Sequence, residues 1–195
     1  MKRLFDFVAS GCGLLVLSPI FLVLAVWVKL DSPGPVFYRQ VRVGRGNKDF
    51  RLFKFRSMRI GSDKKGLITV GGRDPRVTRS GYYIRKYKLD ELPQLINVFV
   101  GDMSLVGPRP EVRKYVDMYT PEQMHVLDVR PGITDLASIC YRNENELLEK
   151  VDNPETYYIE TILPDKLRIN LDYVHHQSFW GDLGLIFKTF RAILK

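Results

Sequence analysis

The chain has 195 residues, 45% of them hydrophobic and 27% charged, with a formal net charge of +8. That balance is too apolar for a disordered chain, and its size suits one domain with an appendage. The excess of positive charge argues against a cationic partner and points to an anionic one: nucleic acid, an anionic membrane surface or a phosphorylated small molecule. Two cysteines, Cys12 and Cys140, form no CxxC pair and no metal-ligand spacing, so a disulfide framework is not expected and a reducing, cytosolic setting is the default.

In chain order, the first element is an uncharged run of 22 residues, Phe7 to Val28. A helix of that length reaches about 33 Å, enough to cross a bilayer core. A cleaved signal peptide fits poorly, because Asp31-Ser32-Pro33-Gly34-Pro35 offers no small-residue cleavage site. A spanning helix, a helix that enters the membrane and returns to the same face, and a buried core helix all stay open on length. Ser18-Pro19 near the middle predicts a kink. Lys2 and Arg3 before the run, and Lys29, Arg39 and Arg42 after it, would keep both ends on the cytoplasmic side. Asp6 is tolerable near the membrane surface, especially beside a basic neighbour.

Asp31 to Pro35 reads as a linker. Val36 to Ile60 carries eight Arg or Lys and a single acid, Asp49. Within it, Val36 to Met58 alternates apolar and basic residues, predicting short strands around a Gly44-Arg45-Gly46 turn. Lys54, Arg56 and Arg59 read as a solvated strand face. Gly61 to Ser80 reads as a mobile loop, and Tyr82 to Lys88 as a short helix. Asp90 to Val100 has helical spacing, with Pro93 in the first turn and Asp90 as N-cap or first-turn residue. Helices are also predicted over Pro121–Val129, Glu144–Glu149 and Pro154–Val174. Leu183, Ile186, Phe187, Phe190 and Leu194 form a helical stripe, with Lys188, Arg191 and Lys195 elsewhere on that helix. Such a stripe packs into a core or lies in a membrane interface.

Asp90-Glu91 is an acidic pair in a basic neighbourhood of Arg85, Lys86 and Lys88. Two adjacent carboxylates at a helix start can hold Mg²⁺, or divide labour between attack and proton transfer. A bare dipeptide of this kind is more often an ordinary helix cap. Gly107-Pro108-Arg109-Pro110 presents a guanidinium from a stiff loop, suited to a two-point grip on phosphate. Arg130-Pro131-Gly132-Ile133-Thr134 is a second stiff, basic loop. His125, His175 and His176 lack metal-ligand spacing and read as structural or surface residues. The aromatics Phe50, Phe53 and Phe55 among basic residues suit nucleic acid, but the membrane segment upstream argues against it.

The run Lys88 to Val98, with Gly101 to Pro110, resembles the signature of the bacterial sugar transferases, the monotopic phosphoglycosyl transferases. The resemblance extends through Arg130–Thr134, Lys54-Phe55-Arg56-Ser57-Met58 and the N-terminal helix with Ser18-Pro19. It implies a mainly helical α+β fold: a small globular domain with short strands, residues 31–195, on a re-entrant membrane helix, residues 1–30, broken at Ser18-Pro19. A C-terminal amphipathic helix over 183–195 belongs to the catalytic domain. The implied reaction moves a sugar 1-phosphate from a UDP-sugar to undecaprenyl phosphate and releases UMP, through a covalent intermediate on Asp90. That would be the first membrane step of a glycoconjugate pathway.

Glu91 would assist, with Mg²⁺ or by deprotonating the acceptor, so Asp90 and Glu91 are also the expected metal ligands. Lys54, Arg85, Arg109 and Arg142 match positions expected to bind phosphate or nucleotide. The implied setting is the bacterial inner membrane with the catalytic domain on its cytoplasmic face, no nucleic-acid partner, and homo-oligomerisation left open. The chain departs from the family pattern after Gly-Ile-Thr, where it reads Asp135-Leu136-Ala137-Ser138-Ile139-Cys140-Tyr141-Arg142. The resemblance is to the minimal catalytic form, for which the extra N-terminal membrane helices of larger relatives are not expected. The competing reading is a non-catalytic membrane adaptor that binds anionic lipid through residues such as Arg42, Arg45 and Arg51.

Overall fold

The structure is a computed structural model that describes residues 1–62 and 74–194. The fold is mainly helical with short strands, as expected. Helix α1 spans Lys2–Asp31. Among the described residues it is the one helix long and apolar enough to cross a membrane. Only Asp6, Ser10, Leu24 and Val28 of α1 are buried, while Leu15, Val16, Leu22, Val23 and Leu30 stand exposed.

The helix is continuous through Ser18-Pro19, where an interruption was expected. The reason is local. Pro19 cannot donate to the carbonyl of Leu15 four residues earlier. The Ser18 hydroxyl does so instead, at 2.8 Å. In an apolar medium, where an unmet carbonyl is costly, that substitution matters more than in water.

Both ends of α1 are tied to the globular part by polar groups. At the first turn, Lys2 Nζ donates to Val106 O at 2.9 Å and pairs with Asp182 at 2.7 Å. Arg3 donates to the carbonyls of Val98 and Phe99. Asp6 accepts from Ser104 Oγ at 2.8 Å and from Leu105 N at 3.0 Å, rather than from a basic neighbour. At the last turn, Asp31 accepts from Ser80 N and Oγ. Arg56 donates to the carbonyls of Val28, Ser32 and Pro33. Arg56 is thus buried and caps the helix, and does not lie on a solvated strand face as expected. Gly34, at φ +126°, admits that guanidinium; a Cβ there would lie 2.1 Å from Arg56 Nη1.

The short strands expected around Gly44–Gly46 are β1 (Phe37–Val43) and β2 (Asp49–Phe55), which pair as an antiparallel hairpin with Tyr38 opposite Lys54. Of the expected loop over Gly61–Ser80, residues 63–73 lie outside the described residues. Its end begins helix α2 (Arg79–Lys86), which Thr78 caps by accepting from Gly81 N. The expected helix over Asp90–Val100 is split. Lys88 takes a left-handed φ of 56°, Leu89–Glu91 form a 3₁₀ turn, and helix α3 starts only at Gln94 and runs to Val100. Asp90 therefore sits inside a tight turn and does not cap α3.

Strands β3 (Ser104–Val106) and β4 (Gly132–Thr134) pair in parallel. Strand β4 falls within the Arg130–Thr134 segment where a stiff loop was expected, and β3 directly precedes the other such loop, Gly107–Pro110. They can approach because Gly107 and Gly132 have no side chains; a Cβ on Gly132 would lie 2.1 Å from Gly107 N. Then come α4 (Arg113–Val116), a 3₁₀ turn at Gln123–Asp128 in place of the predicted helix, α5 (Leu136–Cys140), and α6 (Glu144–Glu149). The predicted long helix from Pro154 is α7 (Pro154–Tyr157), a π turn at Tyr158–Ile162, and α8 (Leu163–His176).

Helix α9 spans Phe179–Leu194. Its Leu183 and Ile186 face inward beside Lys2 and Asp6, while Phe187 is 72% exposed. The side chains of Phe190 and Leu194, and Lys195, lie outside the described residues. One core cluster gathers Tyr115, Val126, Leu148, Tyr158, Ile162 and Leu167 around α8; another joins α1 to β2 and α2 through Leu24, Val28, Phe55 and Ile84.

Candidate active site

Three separate segments deliver the charged centre. Strand β2 carries Lys54, the 3₁₀ turn carries Asp90 and Glu91, and the loop after β3 carries Arg109. Asn97 fixes the first two against each other: its Oδ1 accepts from Phe53 N at 2.9 Å and its Nδ2 donates to Arg51 O at 2.8 Å. These bonds lie one and three residues before Lys54 and tie that end of the strand to α3, and the Lys54 ammonium reaches Glu91 of the turn. The Arg109 loop is held by Arg42, which donates to Pro110 O and pairs with Glu111, and by Tyr158, whose hydroxyl donates to Glu111 at 2.6 Å.

Glu91 is fully engaged. Arg109 grips it with both terminal nitrogens, one of them at 3.2 Å, and Lys54 Nζ donates to it at 3.2 Å. Burial alone would raise its pKa, but Arg109 and Lys54 outweigh that and hold the carboxyl well below its usual range. The partners answer in kind. Glu91 raises the Arg109 pKa further above its already high value. Lys54 is lowered, because burial outweighs the pull of Glu91.

Asp90 differs. It is 7% exposed, and its carboxylate accepts no hydrogen bond among the described residues. Burial raises its pKa, against the attraction of Lys54, while the neighbouring Glu91 charge adds to the rise. Arg85 and Lys88 also act on it across space. The result is a buried carboxylate that accepts no hydrogen bond among the described residues, in a field of cations, next to a second carboxylate engaged by Arg109 and Lys54. The left-handed φ at Lys88 is the backbone cost of turning Asp90 inward.

Of the expected binding residues, Lys54, Arg85 and Arg109 gather here. Arg142 stands exposed in the turn after α5 and makes no hydrogen bond or ion pair with this cluster. Glu111 and Tyr158 escaped the sequence reading, and Arg42 was read there only as a membrane-flanking or lipid-binding cation. They come from distant segments and only the fold joins them. His125 pairs with Asp128 and His176 with Asp172 at the surface, as expected of non-catalytic histidines. Cys12 and Cys140 are free.

Among the described residues no group of three or more His, Cys, Asp or Glu side chains converges as for a metal. Asp90 alone offers an uncommitted carboxylate; both oxygens of Glu91 are taken by cations. Mg²⁺ commonly binds through one or two carboxylates plus substrate phosphates, so the donor set suits it only together with a phosphorylated ligand.

A sequence model for the family described as "Bacterial sugar transferase" matches residues 1–195. The chain is 41% identical over 199 residues to the UDP-N-acetylgalactosamine-undecaprenyl-phosphate N-acetylgalactosaminephosphotransferase of Aeromonas hydrophila, covering 100% of this chain and 44% of that protein. It is 38% identical over 193 residues to the UDP-glucose:undecaprenyl-phosphate glucose-1-phosphate transferase of Escherichia coli, covering 97% of this chain and 39% of the relative. It is 36% identical over 197 residues to the protein of the same description from Caulobacter vibrioides, covering 99% of this chain and 69% of the relative. The chain thus spans less than half the length of the first two relatives.

Proposed function

The chain belongs to the bacterial sugar transferase family, and from that membership we propose that it transfers a sugar 1-phosphate from a UDP-sugar to undecaprenyl phosphate, releasing UMP. The observation that carries the reading is Asp90: a buried carboxylate without a hydrogen bond among the described residues, beside an engaged Glu91 and in the field of Lys54, Arg85, Lys88 and Arg109. Two negative and four positive side chains leave the centre cationic. A diphosphate can approach the nucleophilic carboxylate there without net repulsion.

In the proposed chemistry an Asp90 oxygen attacks the phosphorus that bears the sugar. The bond from that phosphorus to the bridging oxygen breaks, and UMP leaves with both electrons of the broken bond. The aspartyl phosphosugar is then attacked by a phosphate oxygen of the lipid. The bond to Asp90 breaks and the carboxylate is regenerated. Arg109, stiffened by Pro108 and Pro110, is placed to hold phosphate oxygens as charge develops. Glu91 keeps Arg109 and Lys54 in position, and it can take a proton from the acceptor once an incoming phosphate competes for those cations. Asp90 is the residue that would hold Mg²⁺, which would supply further charge neutralisation to the diphosphate.

The substrate lipid keeps its phosphate at the membrane surface, so the protein must work there. Helix α1, unbroken through Ser18-Pro19, suits an anchor that keeps both of its ends on one side of the membrane. Its two ends carry buried polar ties to one and the same globular unit. Its middle is apolar and exposed, with Leu15 at 77%. A helix that left the catalytic unit on one face and ended on the other would break one set of ties. This reading puts the catalytic unit on the cytoplasmic face of the inner membrane. A cysteine introduced at position 2, in a protein with Cys12 and Cys140 replaced by Ser, should resist an impermeant thiol reagent added to intact cells. Labelling from outside would contradict the one-sided anchor.

The activity is tested with the full chain in lipid nanodiscs with Mg²⁺ and a panel of UDP-sugars. UMP release is expected from wild type and not from Asp90→Asn. Full UMP release by that variant would overturn the role of Asp90.

A further inference from the structure

On the face of the hairpin that carries Lys54, strand β1 contributes Tyr38, Gln40 and Arg42. Tyr38 stands opposite Lys54, Gln40 opposite Leu52 and Arg42 opposite Phe50. Opposite residues of an antiparallel pair share a face, and diagonal neighbours lie about 7–8 Å apart, within reach of long side chains. Gln40 is the diagonal neighbour of Lys54, and Lys54 donates to Glu91, next to Asp90. Gln40 therefore sits at the edge of the charged centre, although nothing in the chemistry above uses it.

Arg42 fixes how the Gln40 amide is turned. Its Nε and Nη2 donate to Gln40 Oε1 at 3.1 Å and 2.9 Å, while its Nη1 donates to Pro110 O at 3.0 Å. A guanidinium has donors only, so the amide atom that faces it is the oxygen. The amide nitrogen is thereby turned away from Arg42, and the next row of this face beyond Gln40 is Tyr38 and Lys54. Pro110 adjoins Arg109, so one guanidinium ties the amide to the loop that grips Glu91.

The nitrogen is also available. Gln40 is half-buried, and its Nε2 donates to nothing among the described residues. It keeps contact with solvent, unlike the Gln94 amide nitrogen, which is sealed in without a partner. The neighbouring cations are committed: Arg109 and Lys54 to Glu91, and Arg42 to Gln40, Pro110 and Glu111. They supply positive potential, and Gln40 supplies two oriented N–H donors that no protein acceptor has to give up. An anionic oxygen is the acceptor that such a field concentrates.

Resting on the phosphosugar-transfer reading, we propose that Gln40 is a substrate-contacting residue whose amide N–H donates to a non-bridging oxygen of the donor's diphosphate, with Arg42 as the positioning residue that sets its orientation. The contact holds the diphosphate against the hairpin while Asp90 addresses the phosphorus that bears the sugar. It breaks no bond and moves no proton.

The test measures UDP affinity by isothermal titration calorimetry, and kcat/KM for UMP release from a panel of UDP-sugars, with the full chain in nanodiscs and Mg²⁺. Two variants separate the donor from its surroundings. Gln40→Glu keeps the side-chain length and an oxygen for Arg42, and replaces the N–H donors with a second acceptor. Gln40→Met adds no charge but releases Arg42. The loss common to both is the donor. Both should weaken UDP binding at least about tenfold, the scale of a hydrogen bond to a charged group, with kcat/KM falling in parallel. Gln40→Glu should unfold at no lower temperature than wild type, because Arg42 gains an ion pair.

Wild-type UDP affinity in either variant would overturn the proposal; in Gln40→Glu it would show that Gln40 serves only to hold Arg42. So would a fall in kcat/KM without a fall in UDP affinity, which would move the contact to the sugar. A wild-type protein that binds UDP but releases no UMP from any donor would contradict phosphosugar transfer, and the UDP titrations of the two variants would still decide the Gln40 contact.

Discussion

Asp6 and Asp90 are both almost closed to solvent, at 3% and 7% exposure, and both sit where a short segment meets a helix. Around Asp6, at the foot of the anchor, every oxygen is answered: Ser104 Oγ and Leu105 N donate to it, and Lys2, Tyr173 and Asp182 complete the polar ring nearby. Around Asp90 the cations go to its neighbour Glu91, and Asp90 has no hydrogen-bond donor among the described residues. The first region holds the molecule together. The second spends stability, in burial and in the left-handed turn at Lys88, on keeping one carboxylate available. Burial by itself distinguishes nothing; the presence or absence of partners does.

Removing the two aspartates should therefore have opposite consequences. Asp90→Asn is expected to lower UMP release at least roughly a thousandfold, as for loss of a nucleophile. Its thermal stability should be unchanged or higher, because a buried, unpaired charge is gone. A destabilised but active variant would reverse the comparison.

Next in size is Arg109. Arg109→Ala should lower kcat/KM by about 10²-fold, the usual cost of one charge-stabilising donor. Arg109→Lys should recover little of it, since an ammonium cannot reproduce the two-point grip. Steady-state UMP release separates these cases.

Asp6→Ala should show the structural pattern: destabilisation by about 1–3 kcal/mol from the stranded Ser104 and Leu105 donors, measured by chemical denaturation. Activity per folded molecule should be nearly unchanged.

The smallest effect is in pH dependence. Asp90 must be ionised to attack, and its pKa is raised above the ordinary 3.8 by burial. The acid limb of kcat/KM should accordingly lie above that of a free aspartate. Lys54 opposes the rise, so Lys54→Met should move the limb to still higher pH; a move to lower pH would contradict the assignment. Stability has the opposite sign at Glu91. Its folded pKa lies below 4.5, so its ion pairs contribute fully above that value and are lost as pH falls through the lower folded value.

How far the sequence carried these conclusions depends on the range of the forces involved. Elements set by local periodicity were readable: α1, the hairpin, and α6 at the predicted bounds. Strands β3 and β4 were not. Each has three residues, and their pairing depends on the mutual approach of Gly107 and Gly132, which are 25 positions apart. Asp90 looked like a cap because of its residue type, but Lys88 and Pro93 bend the chain so that α3 begins later.

Arg56 read as solvated because strand alternation says nothing about carbonyls 23 to 28 residues earlier. At the centre, Lys54, Glu91 and Arg109 were legible as residues, through their motifs. Their division of labour was not, because Asn97, Arg42 and Tyr158 set it from elsewhere in the chain.

The central claim is that Asp90 becomes covalently bonded to the phosphosugar. Wild-type protein can be incubated with Mg²⁺ and a UDP-sugar in the absence of lipid acceptor, quenched, digested and examined by mass spectrometry. The account predicts one sugar-phosphate added to the peptide containing Asp90, removed on adding undecaprenyl phosphate and absent from Asp90→Asn. UMP release without any adduct, or an adduct on another residue, would contradict it.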